Sequence, residues 1–183
     1  MGRVFTKRTR PKEGMFFMRV GIGYDAHVLT KGRSLVLGGE TIPYDKGLLG
    51  HSDADVLLHA IMDALLGAAG LGDIGQHFPD TDDKYKNASS LHLLEKVHKA
   101  ITDKSFAVVN VDAVIVAQSP KLSHLLQQMA INISQVLHLP PSSVNIKATT
   151  EEGMGFTGTG QGIAAHAICL LESVGACIIR PQN

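Results

Sequence analysis

Apolar and polar positions follow two periods along this chain. MRVGIGY, from 18 to 24, sets Val20, Ile22 and Tyr24 in alternation with smaller or polar residues, which predicts a strand. SLVLGGETIPYDKG, from 34 to 47, predicts a short strand, a Gly-Gly turn and a second strand that Pro43 confines to an edge. A period near 3.6 predicts a helix from about 53 to 69, with Leu57, Leu58, Ile61, Leu65 and Ala68 on one broad apolar face. SSLHLLEKVHKAITDK repeats that period through Leu91, Leu94, Val97 and Ile101, and PKLSHLLQQMAINISQVLHL repeats it again before Pro140 and Pro141 end it. FAVVNVDAVIVAQ, SVNIKATT and GIAAHAICLLE are β-branched or continuously apolar and predict three more strands. The segment from 71 to 89 is polar and broken by Gly and Pro, and EEGMGFTGTGQ is a glycine-rich connection. The expectation is an α+β fold (an α/β sandwich): a mixed β-sheet of about four to five strands, helices packed on one face, and a small β-hairpin.

The 183 residues suit one domain, taken as 18–175, between a disordered basic tail, 1–17, and a C-terminal tail, 176–183. Lys plus Arg and Asp plus Glu are both 17, so no basic excess favours nucleic acid. No apolar run approaches the roughly 20 residues of a membrane helix. Cys169 and Cys177 form no CxxC pair; a cysteine-based zinc site is therefore not expected, and Cys169 reads as a small core residue.

HSDADVLLHAIMDALLG carries His51, Asp53, Asp55, His59 and Asp63 inside an apolar helix. On a wheel Ser52, Asp55, His59 and Asp63 form a stripe beside the apolar face. One reading is structural: Ser52 with Asp55 as a capping box, Asp53 and Asp55 at the positive helix end, His59 and Asp63 solvated or Asp63 supporting His59. The other follows from GYDAH: Asp25 and His27 are two apart and point to one side of a strand. With a histidine from the helix they make three nitrogen or oxygen ligands, leaving the fourth tetrahedral position open as in catalytic zinc sites. GIGYDA fits a dinucleotide fingerprint, but turn and strand signals follow it instead of a helix. A nucleotide-dependent oxidoreductase is thus disfavoured, and Gly21 and Gly23 are read as points of close backbone approach. GFTGTGQG lacks the Lys-Ser/Thr of a P-loop. Lys147, Thr149 and Thr150 before it suit phosphate, and Glu151 and Glu152 suit Mg²⁺ or Mn²⁺.

GYDAH, GLLGHSDADVLLHAIMDALLGAAGLGDIGQHFPDTD, AQSPK and NIKATTEEGMGFTG together resemble the 2-C-methyl-D-erythritol 2,4-cyclodiphosphate synthase family, from about Met18 to Glu172. The resemblance implies cyclisation of a cytidine diphosphate ester of methylerythritol 2-phosphate with release of CMP. It implies zinc on Asp25, His27 and His59, and Mg²⁺ or Mn²⁺ on Glu152. It assigns transition-state stabilisation to His51 and Thr150. Substrate contacts fall on Ser52, Asp73, Ile74, Gly75, Phe78, Pro79, Asp80, Thr81, Asp82, Thr149 and Phe156, with Ala117, Gln118, Ser119, Pro120 and Lys121 in the cytidine pocket. It also implies a homotrimer with sites between subunits, in the bacterial cytoplasm or a plastid-type organelle. The alternative is a non-catalytic trimeric metal- and isoprenoid-binding protein. Where the family often has Arg and Glu, this chain has Thr159 and Gln161; the activity is expected to survive, since the ligand positions are intact.

Overall fold

Strand β1, Met18–Lys31, is longer than the seven-residue alternation predicts, because two neighbours divide it between them. Strand β7, Gly162–Ser173, pairs antiparallel with it from Met18 to Val28, and β4, Lys46–Leu48, takes Leu29 to Lys31. The computed structural model describes residues 17–174. Of the expected tails only Phe17 falls inside that range. Phe17 N–H donates to Ser173 Oγ, so order begins by Phe17. The rest of the basic tail, the C-terminal tail and Cys177 lie outside the described residues.

The sheet is completed by β5, Phe106–Val116, and β6, Val144–Thr149, in the order β4-β1-β7-β5-β6. β5 is antiparallel to β7 and parallel to β6, which makes the five-stranded sheet mixed, as expected. β2, Leu35–Leu37, and β3, Glu40–Ile42, form the small hairpin on the Gly-Gly turn, where Gly38 and Gly39 both take positive φ. Helices α1 (Val56–Ala69), α3 (Ser90–Asp103) and α4 (Leu126–Val136) pack with the sheet. Two short helices, α2 (Ile74–His77) and α5 (Gly155–Gly158), lie in segments read from sequence as loops.

The face that each half of the β1 alternation takes is not the one its apolarity suggests. Gly21 and Gly23 face α1, while Val20, Ile22 and Tyr24 face outward and Ile22 is 71% exposed. Strand and helix approach so closely that a Cβ on Gly21 would lie 1.9 Å from Ala64 O, and one on Gly23 1.9 Å from Ala60 O. Two strand residues advance about 6.6 Å and four helix residues about 6 Å, so these contacts keep step. Asp25 and His27, the next positions on the same side of β1, meet His59.

Helix α1 is buried almost all round: only Asp63 and Gly67 escape. Leu57, Leu58, Ile61 and Leu65 are fully buried, each contributing about 1.5–3 kcal/mol. The polar stripe is therefore no solvated edge, and the helix starts three residues later than predicted. Its N-cap is Asp55, not Ser52: Asp55 Oδ1 accepts Leu58 N–H at 3.1 Å and Oδ2 accepts Gly39 N–H at 2.8 Å. Burial lifts this carboxyl from 3.8 to about 6, against the lowering pull of the Gly39, Leu58 and Gly38 N–H groups. Asp55→Ala is expected to cost about 2–3 kcal/mol in urea unfolding, from a lost cap and an orphaned buried Gly39 N–H. The folded state holds the Asp55 proton more tightly than the unfolded state. That contribution is complete below 3.8 and is lost as the pH rises through about 6. The deficit of the variant should widen as the pH falls from about 7 to about 5; a cost near zero at both would overturn the assignment.

Candidate functional site

Asp25 and His27 reach the helix side of β1 and meet His59 of α1, three residues whose ligand atoms all lie within 4.8 Å of one another. Asp25 Oδ1 accepts Ala26 N–H at 2.8 Å, which turns Oδ2 inward. Oδ2 lies 2.9 Å from His27 Nε2 and 2.9 Å from His59 Nδ1, and the two ring nitrogens are 3.1 Å apart. Bonds of about 2.0–2.1 Å at tetrahedral angles put ligand atoms about 3.3 Å apart, so this donor set fits a zinc-sized ion. Among the described residues it is the one grouping of this kind. Burial works against the Asp25 carboxylate, but the bonds and charges of His27 and His59 outweigh it and hold Asp25 well below the usual range. Burial likewise opposes charging of His27, and the Asp25 bond overcomes it, raising the His27 pKa. Both shifts come from the close pairing of Asp25 with the two histidines.

The triad opens into a cavity of about 440 Å³, lined also by His51, Ser52, Ile74, Gly75, Phe78, Pro79 and Asp80. Segment 71–89 forms its outer wall. Asp73 caps α2 by accepting Gln76 N–H at 3.0 Å, and Phe78 meets the Tyr85 ring edge-on at 5.3 Å. His51 Nε2 lies 3.2 Å from Asp82 O, tying the wall to the approach to α1. Asp63 neither supports His59 nor sits idle: its Oδ1 accepts Ile74 N–H at 2.8 Å and anchors α2. Burial raises the Asp63 pKa, with the charges of Asp73 and Asp25 adding to it and the Ile74 bond opposing.

A second cavity, of about 400 Å³, is lined by Ala117, Gln118, Pro120, Lys121, Thr149 and Thr150. Within one chain it is separate from the first. Asp73, Thr81, Asp82, Ser119, Glu152 and Phe156 line neither cavity. Glu152 is exposed with φ 49, in a turn that Met154 N–H closes by donating to Glu151 O at 2.9 Å. Glu151 is engaged by the Thr157 hydroxyl. Thr159 Oγ1 donates to Gly155 O at 2.8 Å and accepts from Gln161 Nε2 at 3.0 Å, so both departures from the family pattern are spent on the local turn.

Sequence reasoning missed Ser90, which is fully buried with Oγ 3.1 Å from His59 Nε2, and missed Met62, Tyr85 and Leu93 in the cavity wall. No local sequence signal joins Ser90, the first residue of α3, to His59.

The model of the YgbB family matches residues 18–172. The 2-C-methyl-D-erythritol 2,4-cyclodiphosphate synthase of Clostridioides difficile (strain 630) is 60% identical over 154 residues, 84% of this chain and 96% of that protein. The bifunctional IspDF from Campylobacter jejuni has a similar structure, with TM-score 0.84 and 43% identity, over 87% of this chain; the match spans 43% of that longer chain. IspF of Plasmodium falciparum, solved as a CDP complex, matches with TM-score 0.75 and 34% identity over 85% of this chain and 96% of its own. No helix among the described residues is long and apolar enough to cross a membrane.

Proposed function

The chain belongs to the YgbB family, and from that membership we propose how its residues act. The reaction is the cyclisation of 4-diphosphocytidyl-2-C-methyl-D-erythritol 2-phosphate to 2-C-methyl-D-erythritol 2,4-cyclodiphosphate. An oxygen of the 2-phosphate forms a bond to the β-phosphorus, the bond from that phosphorus to the bridging oxygen breaks, and CMP departs with the electron pair. The protein is a lyase. Relatives named as synthases give no support to a purely binding protein.

Attacking and attacked groups are both anionic, and two unit charges 4 Å apart repel by about 4 kcal/mol at an effective dielectric of 20. Asp25, His27 and His59 would hold Zn²⁺ and Glu152 Mg²⁺ or Mn²⁺, which supply positive charge against that repulsion. The chain's own groups do the rest. Asp73, Ile74, Gly75, Phe78, Pro79, Asp80, Thr81 and Asp82 shape the wall that orients the erythritol phosphate, with Ser52 beside it. His51 and the Thr150 hydroxyl donate hydrogen bonds to oxygens on which charge builds. Ala117, Gln118, Ser119, Pro120 and Lys121 bind the cytidyl end, and Thr149 and Phe156 contact the phosphate and erythritol part. Positioning and charge balance suffice for such a transfer.

The observation that carries the reading is the convergence of Asp25, His27 and His59 in the wall of a cavity. Two supports point to a trimer that joins the two cavities across subunits. One is their separation within a chain; the other is the bare sheet face of Met18, Val20, Ile22, Tyr24, Val28 and Ile168. The bacterial cytoplasm fits the bacterial relatives and the free thiol of Cys169. Purified chain, sedimenting as three copies, should release CMP from the cytidyl substrate and stop when a chelator strips its metal. No CMP with both metals present would overturn the reaction, and full turnover by a sedimenting monomer would overturn the shared site.

A further inference from the structure

The hydrogen bonds linking Asp53, Ser90 and His59 take their direction from the Ser90 proton. Three protons converge on the two oxygens of Asp53. Ser90 N–H donates to Oδ2 at 2.8 Å, Ser90 Oγ–H to Oδ1 at 2.5 Å, and Asp55 N–H to Oδ1 at 3.3 Å. A serine hydroxyl has one proton to give. With that proton spent on Asp53, Ser90 Oγ meets His59 Nε2, 3.1 Å away, only as an acceptor. Nε2 therefore carries a proton, which leaves Nδ1 as the ring nitrogen whose lone pair a cation can take. Nδ1 is the atom that faces Asp25 Oδ2 and His27 Nε2. Ser52 Oγ, which accepts Ala54 N–H, lies 3.2 Å from the same ring's Nε2.

We propose that Asp53 and Ser90 are positioning residues: they keep His59 protonated at Nε2 and so make Nδ1 the nitrogen that a cation takes. The proposal rests on the reading of His59 as a metal ligand. It explains why Ser90, the first residue of α3, is fully buried against a residue of α1 thirty-one positions earlier. It also gives Asp53 a task beyond holding the start of α3. A cap alone would need only the bond from Ser90 N–H, whereas the Ser90 hydroxyl is oriented as well.

Asp53→Asn reverses the direction at almost constant shape. Its carbonyl still accepts Ser90 N–H, and its amide now donates to Ser90 Oγ, which frees the serine proton for His59 Nε2. Long-range ¹H–¹⁵N spectra of the metal-free protein should find His59 Nε2 protonated in the wild type and shifted toward Nδ1–H in Asp53→Asn. Competition with a chromophoric chelator should find zinc bound about 10–100-fold more weakly by the variant. Ser90→Ala keeps the backbone bond to Asp53 and leaves Ser52 Oγ beside Nε2, so a smaller loss in the same direction is expected. A wild type in the Nδ1–H form, or variants that leave both tautomer and zinc affinity unchanged, would overturn the proposal alone. A wild-type chain that binds no zinc would overturn the metal reading as well, which separates the two failures.

Discussion

His59→Ala should abolish stoichiometric zinc binding and slow CMP release by about a thousandfold or more, while leaving the far-UV spectrum of the protein unchanged. The size follows from the chemistry: a cation at reacting phosphates supplies several kcal/mol of transition-state stabilisation, and loss of one ligand from three leaves Asp25 and His27 a poor site. The fold should survive because α1 does not depend on this side chain. Leu57, Leu58, Ile61, Leu65 and Leu66 stay fully buried, and Asp55 still caps the helix. Nor does the truncation strand the serine hydroxyls, since Ser90 Oγ keeps Asp53 and Ser52 Oγ keeps Ala54 N–H. Zinc content by plasma emission spectrometry, turnover by CMP release and circular dichroism check the three parts. Normal turnover without bound zinc would remove the triad from the reaction; normal turnover with zinc would remove His59 from the ligand set.

Much of this arrangement is legible in the sequence, and the parts that are not have physical reasons. The Asp-x-His spacing states that Asp25 and His27 share a side, because a strand alternates strictly. What alternation does not state is which side is inside. Val20, Ile22 and Tyr24 look like the core half of β1, yet the glycine half faces the helix, because Gly21 and Gly23 permit a backbone approach that larger residues forbid. The helix start is misjudged for a related reason. Ser52, Asp53 and Asp55 are all good N-cap types, and only the tertiary position of Gly39 and Ser90 assigns them. Asp55 caps α1 and holds the hairpin, Asp53 turns to α3, and Ser52 stays near His59. Ser90 was invisible because nothing local in its sequence points to His59. The division of the predicted site residues between two cavities is likewise a fact of three dimensions, with Thr149 and Thr150 on β6 and its exit and the triad on β1 and α1.

The same close approach gives the largest expected effect on stability. A Cβ on Gly23 would lie 1.9 Å from Ala60 O and 2.7 Å from Ala64 N, and both are backbone atoms of a buried helix. No rotamer change relieves such a contact. Either α1 lifts from the sheet, opening the packing of Leu57, Ile61 and Leu65, or β1 breaks its ladder with β7, where Gly23 pairs with Ala167. Gly23→Ala should therefore cost about 3 kcal/mol or more, at the upper end for overpacking. Zinc affinity should fall about tenfold or more even in the fraction that stays folded, because this contact sets the level at which Asp25 and His27 meet His59, and second-sphere support of ligands carries penalties of that order. Gly67 is the matched control. It sits on the exposed side of the same helix with nothing within 4 Å of an added Cβ. Gly67→Ala should stabilise by about 0.5–1 kcal/mol through the better helix propensity of alanine. Urea unfolding of the two variants should thus move in opposite directions from the wild type. If Gly23→Ala were as stable as the parent, β1 and α1 would not be in the backbone contact that sets the ligands at one level.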